Sequence, residues 1–305
     1  MFTEFFCGIG GFASVMPPHP AALSIDINRN ALEIHAMNFA HRHLCKSLES
    51  LPVSTATEFP KEIWWMSPPC QPFTRRGKQR DLEDPRSAGF RNMLTLINEI
   101  RPHRIGIENV PEFQSSDSHG LLLGTLSRAS YQFAEILLCP TQLGSVNRRR
   151  RYYLIASQDS LLPWQPLKKN PMLGQHSRKL SASVDLTKYG LSAAWQTQFA
   201  SALDIIGARE FLEGGKQTTC FTSAYGRSPV YSGSWLDTSQ GIRQFTPREI
   251  LCQLGFPDSF QIPPWPPEKL WPLIGNTLSL PAITYLLHHF PTDSFPSPVQ
   301  PTWQR

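Results

Sequence analysis

The sequence contains no run of about 18 apolar residues, the length a membrane-spanning helix needs, so no membrane segment is expected. Charge is sparse: Asp, Glu, Lys and Arg make up 17% of the 305 residues, against 40% hydrophobic. That balance excludes a disordered chain and supplies enough apolar surface for a sizeable core. Paired cysteines are also lacking. The six cysteines (Cys7, Cys45, Cys70, Cys139, Cys220 and Cys252) include no CxxC-type spacing, which excludes the usual zinc frameworks, and no metal is expected. The stretch MFTEFFCGIGGF has neither a basic start nor a long apolar centre and is not read as a secretory signal. A cytoplasmic location with reduced thiols is the expectation. No internal repeat is found.

What is present is a modest basic excess. The net charge is +5 and the pI is near 8.9. This suits a polyanionic partner without singling one out. The length fits one large domain, or one large and one small.

Over residues 1–157, short apolar runs alternate with helical stretches. Strands are expected at 3–6 (TEFF), 21–27 (AALSIDI), 62–66 (EIWWM), 104–109 (RIGIEN), 133–139 (FAEILLC) and 151–157 (RYYLIAS), with helices at 29–39 and 88–100. This rhythm predicts a doubly wound α/β sheet. The pattern breaks at 158–180, where Pro163, Pro166, Pro171 and Gly174 fall without periodicity. Residues 181–245 are mixed and polar, with a Gly/Ser/Tyr-rich centre at 222–234. Regularity returns at Thr246, which reads as a helix N-cap followed by Pro247 at the first helical position and Glu249 at the third. A proline-rich loop is expected at 262–272, then a turn, a final helix and a frayed end from 293.

Five stretches carry possible chemistry. FFCGIGGF, at 5–12, follows a strand and precedes a helix; its glycines permit a tight turn and close approach of a ligand. Asp26 ends the next strand, where an acid suits a ribose diol. These features alone leave NAD, AdoMet and an unliganded turn open. SPPCQPFTRRG, at 67–77, places Cys70 just past a strand's carboxyl end, where open α/β sheets put their sites. A free thiol is only about 3% thiolate at pH 7; Arg75 and Arg76 are close enough in sequence to raise that fraction. A lone cysteine is more commonly structural, but prolines on both sides argue for a shaped loop. IGIENV, at 105–110, puts Glu108 at another strand end. Desolvation there could keep it protonated as a proton donor, although such a carboxylate can be only a surface group. In LGSVNRRRRYYLIAS, at 143–157, strand alternation points Arg149 and Arg151 one way, with Arg148 and Arg150 the other. IGNTLSLP, at 274–281, reads as a tight turn before a helix.

Together and in this order, these stretches resemble the cytosine-C5 methyltransferases along nearly the whole chain. MSPPCQPFTRRG, LLCPTQLGSVNRRRRYYLIAS and TTCFTSAYGRSPVYSGS (218–234) are most similar to the branch that methylates tRNA-Asp, whose sequences look like DNA methyltransferases. Two positions depart from the wider family: Val146 replaces a proline, and Asn147 replaces the glutamine of the DNA enzymes. The resemblance implies a Rossmann-like AdoMet-dependent methyltransferase fold with a small target-recognition domain. The catalytic domain would comprise 1–157 and 246–292, and the target domain 158–245. It further implies AdoMet contacts from Phe6, Gly8, Ile9, Gly10, Gly11, Asp26, Ile27, Leu48, Pro68 and Asn276. Substrate contacts are expected from Gln71, Arg75, Arg76, Arg86, Cys220, Thr222 and Tyr225.

The implied chemistry is covalent catalysis. Cys70 attacks cytosine C6, Glu108 hydrogen-bonds N3, and Arg149 and Arg151 fix the base and favour the thiolate. The expected substrate is tRNA, at a cytosine of the anticodon loop, with DNA less favoured and the protein a monomer. A DNA cytosine-C5 methyltransferase would use the same residues and differ in the target domain. A non-catalytic nucleic-acid-binding relative would leave the intact Cys70, Glu108, Arg149 and Arg151 without purpose. An NAD-dependent oxidoreductase would leave SPPCQPF and ENV unexplained.

Overall fold

The computed structural model describes residues 1–69, 81, 84, 87–167 and 178–291. The first of two compact units contains 1–138, 150–165 and, among the described residues, 284–291. Its centre is a seven-stranded sheet of β1 (Phe2–Phe5), β2 (Leu23–Asp26), β3 (Arg42–Cys45), β4 (Ile63–Met66), β5 (Arg104–Asn109), β6 (Gln132–Leu138) and β7 (Arg151–Ser157). The order is β3-β2-β1-β4-β5-β7-β6. Neighbouring pairs from β3 through β5 are parallel, and β7 runs against both of its neighbours. Helices α1 (Arg29–Asn38), α2 (Val53–Ala56), α3 (Ala88–Ile100) and α4 (Asp117–Arg128) connect the strands.

The central strands are apolar on both faces because helices cover both. In β4, Trp64 joins the cluster that holds Phe90, Met93, Leu96 and Ile97 of α3. Trp65 points the opposite way and stacks on Phe12, ring centroids 4.9 Å apart. Gly106 of β5 makes room for that indole: a Cβ there would lie 2.3 Å from Trp65 Cε3. Asn28 caps α1 by accepting from the Asn30 and Ala31 amides.

The sequence did not point to β3. RHLC has no apolar run, and it forms the sheet's outer edge with all four residues at least partly exposed. Its strand character comes from parallel pairing with β2.

The second unit contains 139–149 and 166–283. It holds α5 (Leu186–Tyr189), α6 (Ala193–Phe199), β8 (Ile205–Gly207), α7 (Ala208–Glu213), β9 (Trp235–Thr238), β10 (Gly241–Gln244), α8 (Pro247–Gln253) and α9 (Pro267–Gly275). The helix α10 (Leu280–Leu287) begins here and ends in the first unit. The three strands order β10-β9-β8. This geometric division runs along different residues from the domain bounds expected at 158–245 and 246–292. Residues 246–283 pack with the segment before them, through the Arg243–Glu249 pair (Nη2–Oε1 2.8 Å) and the Phe211–Phe245 and Phe221–Phe245 ring contacts. The expected capping box is present: Thr246 Oγ1 accepts from Glu249 N, and Glu249 Oε2 accepts from Thr246 N.

Two expectations for the C-terminal part are corrected. The proline-rich stretch at 262–272 is not all loop, because Pro267 starts α9 at a position where its missing N–H costs nothing. Gly275 is not part of a turn but ends that helix, where a Cβ would lie 2.3 Å from the Thr222 carbonyl carbon. Pro267–Leu287 is long and apolar enough to cross a membrane by length and composition, but 83% of its most apolar window is buried inside the protein, as core.

Candidate active site

Strand order reverses at β1, whose neighbours are β2 and β4. Open α/β sheets bind ligands at such a point, beyond the strands' carboxyl ends. The turn after β1 and the segment after β4 therefore leave the sheet side by side. Phe5 pairs with Met66, and Ser67 N reaches Phe5 O at 3.5 Å. Trp65 Nε1 donates to Ser67 Oγ at 3.2 Å, and Pro68 is buried. Cys70 follows two residues later. It lies outside the described residues, as do Gln71, Arg75, Arg76 and Arg86.

The turn after β1 takes left-handed backbone at Phe6, Gly8 and Gly10, with φ of 54°, 54° and 96°. Two carboxylates hold it. Glu4 Oε1 and Oε2 accept from Phe12 N (3.1 Å) and Ala13 N (3.2 Å). Asp26 Oδ2 accepts from Gly8 N, and Oδ1 from Asn28 N, both at 2.8 Å. Burial pushes the Glu4 carboxyl up to about 8 against the pull of those backbone bonds. It also raises Asp26, again opposed by amide donors from Asn28 and Gly8. Burial likewise drives the Cys7 thiol well upward, which removes this neighbouring cysteine as a nucleophile.

The cofactor candidates of the first unit fall into two groups. A Cβ on Gly8 would meet nothing within 4 Å, so its backbone borders open space. Ile27 is 68% exposed at the end of β2, an apolar side chain left uncovered on the same rim. Phe6 is half-buried, with its ring 3.5 Å from where a Cβ on Gly89 would stand. Ile9 and Leu48 are core residues, and Gly10 and Gly11 are buried as well. Gly10 is fixed by packing: a Cβ would lie 2.5 Å from the Phe39 ring.

Glu108, next to last in β5, is 9% exposed. Arg151, the first residue of β7, places Nε 3.2 Å from Glu108 Oε1. The alternation expected for the arginine run is present: Arg148 and Arg150 are exposed, Arg149 is buried and Arg151 half-buried. Asn109 turns its Oδ1 back onto Val110 N at 2.8 Å. It thereby shapes the exit from β5 immediately after Glu108.

In the second unit Arg149 is 3% exposed and bonded to its own surroundings. Nη1 donates to Phe221 O and Gly275 O, each at 3.2 Å, and Nη2 to Thr277 O at 2.7 Å. Cys220 Sγ lies 3.5 Å from Nη1. Only Nε lacks an acceptor among the described residues. Arg149 thus fixes the Cys220–Phe221 stretch and the 275–277 stretch together. Thr222 is half-buried, and its Oγ1 accepts from Ala224 N at 3.2 Å to close the following turn. Asn276 is exposed.

Tyr225, expected to contact substrate, does not reach the surface. It is 2% exposed, and its hydroxyl donates to Ser234 O and accepts from Phe245 N, both at 2.8 Å. Its ring packs on Phe221 and Trp271. It is a core residue of the unit, which explains its fixed spacing from Cys220 as well as a substrate role would.

Two positioning residues were not singled out from sequence. Glu4 looked like one acid within a strand; only the fold shows its oxygens on the glycine turn. Asp81 accepts from Asp117 N and Ser118 Oγ, each at 2.5 Å, at the start of α4. It anchors the chain just after 70–80 to that helix.

Comparison with known proteins agrees with this geometry. The C-5 cytosine-specific DNA methylase family matches residues 1–290. A mouse tRNA (cytosine(38)-C(5))-methyltransferase is 28% identical, covering 93% of this chain and 91% of that protein. A DNA (cytosine-5)-methyltransferase of Dictyostelium discoideum is 27% identical, covering 93% of this chain and 92% of that protein. The crystal structure of the S. pombe Dnmt2 methyltransferase superimposes with a TM-score of 0.81 at 26% identity, covering 94% of this chain and 96% of that one. The fold is thus the Rossmann-like α/β methyltransferase fold, and the chain belongs to the C-5 cytosine-specific DNA methylase family.

Proposed function

We propose that this protein transfers a methyl group from AdoMet to C5 of a cytosine in tRNA, in the anticodon loop of tRNA-Asp or a similar tRNA. The observation that carries the reading is the rim of the sheet. There the glycine turn, the Ser67–Pro68–Pro69 exit before Cys70, and the Glu108–Arg151 pair all follow or flank the carboxyl ends of β1, β4 and β5. Membership of the family implies AdoMet as methyl donor, and the residues fit it. Gly8 borders open space, Ile27 offers an uncovered apolar face for an adenine, and the Asp26 carboxylate stands at the strand end where a ribose diol is bound. Phe6, Ile9, Gly10, Gly11, Leu48 and Pro68 shape that wall, and Asn276 is assigned to it by the resemblance alone. When bound, AdoMet supplies an electrophilic methyl group.

Cytosine C5 is a weak nucleophile, and covalent addition at C6 activates it. The Cys70 thiolate adds to C6, and Glu108 hydrogen-bonds N3 so that the ring's added electron density is stabilised. Arg151 holds that carboxyl in place from 3.2 Å. C5 is methylated, its proton leaves to a base, and the C6–S bond breaks to restore Cys70. The target base must leave its stack, which costs less in a loop than in a duplex.

The tRNA reading is supported by the mouse relative, a tRNA (cytosine(38)-C(5))-methyltransferase, and by the Cys220-Phe221-Thr222 stretch, which Arg149 fixes. DNA is the second reading, favoured by the family's description and by the Dictyostelium relative. The test of the mechanism is Cys70→Ala. Transfer of labelled methyl to tRNA is expected to vanish while AdoMet binding persists; substantial residual transfer would remove Cys70 as the nucleophile.

A further inference from the structure

Behind the glycine turn lies a side-chain cluster that the methyl-transfer chemistry does not use. His43 lies on the edge strand β3, and His41 immediately precedes that strand. His35 faces them from α1. One ligand nitrogen from each of the three imidazoles lies within 4.8 Å of the others. The three rings pack on one another, with centroids 4.7 Å (His35–His43), 5.0 Å (His41–His43, stacked with planes 25° apart) and 5.3 Å (His35–His41) apart. His35 Nδ1 and His43 Nε2 are 2.8 Å apart.

We infer that His35, His41 and His43 form a binding site for a divalent transition metal of the zinc type. With Zn–N lengths of about 2.0–2.1 Å, tetrahedral ligand nitrogens stand roughly 3.3 Å apart. The observed spacing therefore needs only small side-chain rotations. Imidazole is the ligand that suits zinc, copper and nickel, and three imidazoles without a thiolate are an established zinc donor set.

The surroundings match what metal-bound histidines require. A ligating imidazole gives its other N–H to a carboxylate or similar acceptor, which fixes tautomer and ring orientation. His35 Nε2 is 3.5 Å from Glu4 Oε2, so its Nδ1 is the nitrogen turned to His43 and to the metal. Ser24 Oγ, 2.8 Å from His41 Nε2, holds that ring in the same way. Glu4 is also the residue that binds the Phe12 and Ala13 amides. A metal here would tie the edge of the sheet, through His35 and Glu4, to the turn assigned to AdoMet. His35 also packs directly against that turn: a Cβ on Gly10 would lie 3.1 Å from His35 Cδ2. The role is structural, because all three histidines stand behind the turn and Gly8 borders the open space.

The test uses the full chain stripped with a chelator and titrated with Zn²⁺ against a competing chromophoric chelator. The wild type is expected to take up one equivalent. His43→Asn, chosen because His43 is half-buried on an edge strand, should bind at least about tenfold more weakly, the floor set by the loss even of an outer-shell partner. Cys45→Ala should bind like the wild type, and far-ultraviolet circular dichroism serves as the fold control. X-ray absorption of the zinc-loaded wild type gives a reading that needs no variant, with a nitrogen shell and imidazole scattering expected. Absence of stoichiometric uptake, unchanged affinity in His43→Asn, or a sulfur ligand would overturn the inference and leave the cluster a hydrogen-bonded set of imidazoles.

Discussion

In the first unit β4, β5 and β7 are buried almost throughout, with Ile, Trp, Tyr, Leu and Ala as most of their residues. In the second unit, aromatic contacts among Phe211, Phe221, Tyr225, Phe245 and Trp271 are joined by single buried polar groups that link distant segments. Arg149 spans from 149 to 221, 275 and 277; Arg243 and Glu249 pair at 2.8 Å with exposures of 4% and 2%; the Tyr225 hydroxyl joins 234 and 245. The first unit therefore rests on area, a non-directional quantity spread over many side chains. The second adds to its aromatic core a few directional bonds whose loss leaves a buried partner unsatisfied. Substrate-facing parts of the first unit should consequently tolerate change in stability terms while losing activity. The second unit should lose its structure first.

That contrast is open to attack from both sides. The largest effect is expected for Glu108→Gln, which keeps shape but removes the acid. Methyl transfer should fall by about 10²–10⁴-fold with an unchanged denaturation midpoint. An equal drop in both would mean Glu108 is a structural residue. Next is Arg243→Met, which leaves Glu249 buried without its partner. It should cost about 3–5 kcal/mol in urea unfolding followed at the second unit's tryptophans. A cost near zero would show that Glu249 finds water, and that directional bonds do not hold this unit. Gly106→Ala drives a methyl into the Trp65 ring of the first unit and should cost about 1–3 kcal/mol, read from the same curves. The smallest effect is expected from Thr246→Ala, which removes one half of the capping box, at about 1 kcal/mol. Larger losses there would mean α8 is marginal without its cap.

The same contrast explains what could be read from sequence. The strands of the first unit are short apolar runs with turn residues between them, so their places and the α/β class were evident. Glu108 and the alternating arginines were evident because they stand at strand ends, and ends follow from strand positions; Cys70 lies outside the described residues. β3 was not evident, since an edge strand with no buried run leaves no periodic signal. Glu4 could not be recognised as a clamp, because its partners, Phe12 and Ala13, come near only through the turn's left-handed residues. In the second unit the residue types were visible but their direction was not. Tyr225, expected to contact substrate, and Arg149, expected to fix the base, are buried, and the partners that bury them lie 9 to 128 positions away. Gly275 looked like a turn and is a contact surface for 222–223. The histidines at 35, 41 and 43 were passed over because their convergence depends on β3.

Methyl transfer to cytosine in RNA is tested most directly by offering one enzyme two substrates. Labelled AdoMet is incubated with the full chain and either bulk tRNA or unmethylated duplex DNA, and label in 5-methylcytosine is counted after digestion. Label is expected in tRNA, concentrated in one anticodon-loop cytosine, with none above background in DNA. Label in DNA alone would contradict that expectation, and would make the Cys220–Thr222 stretch part of a DNA-reading surface.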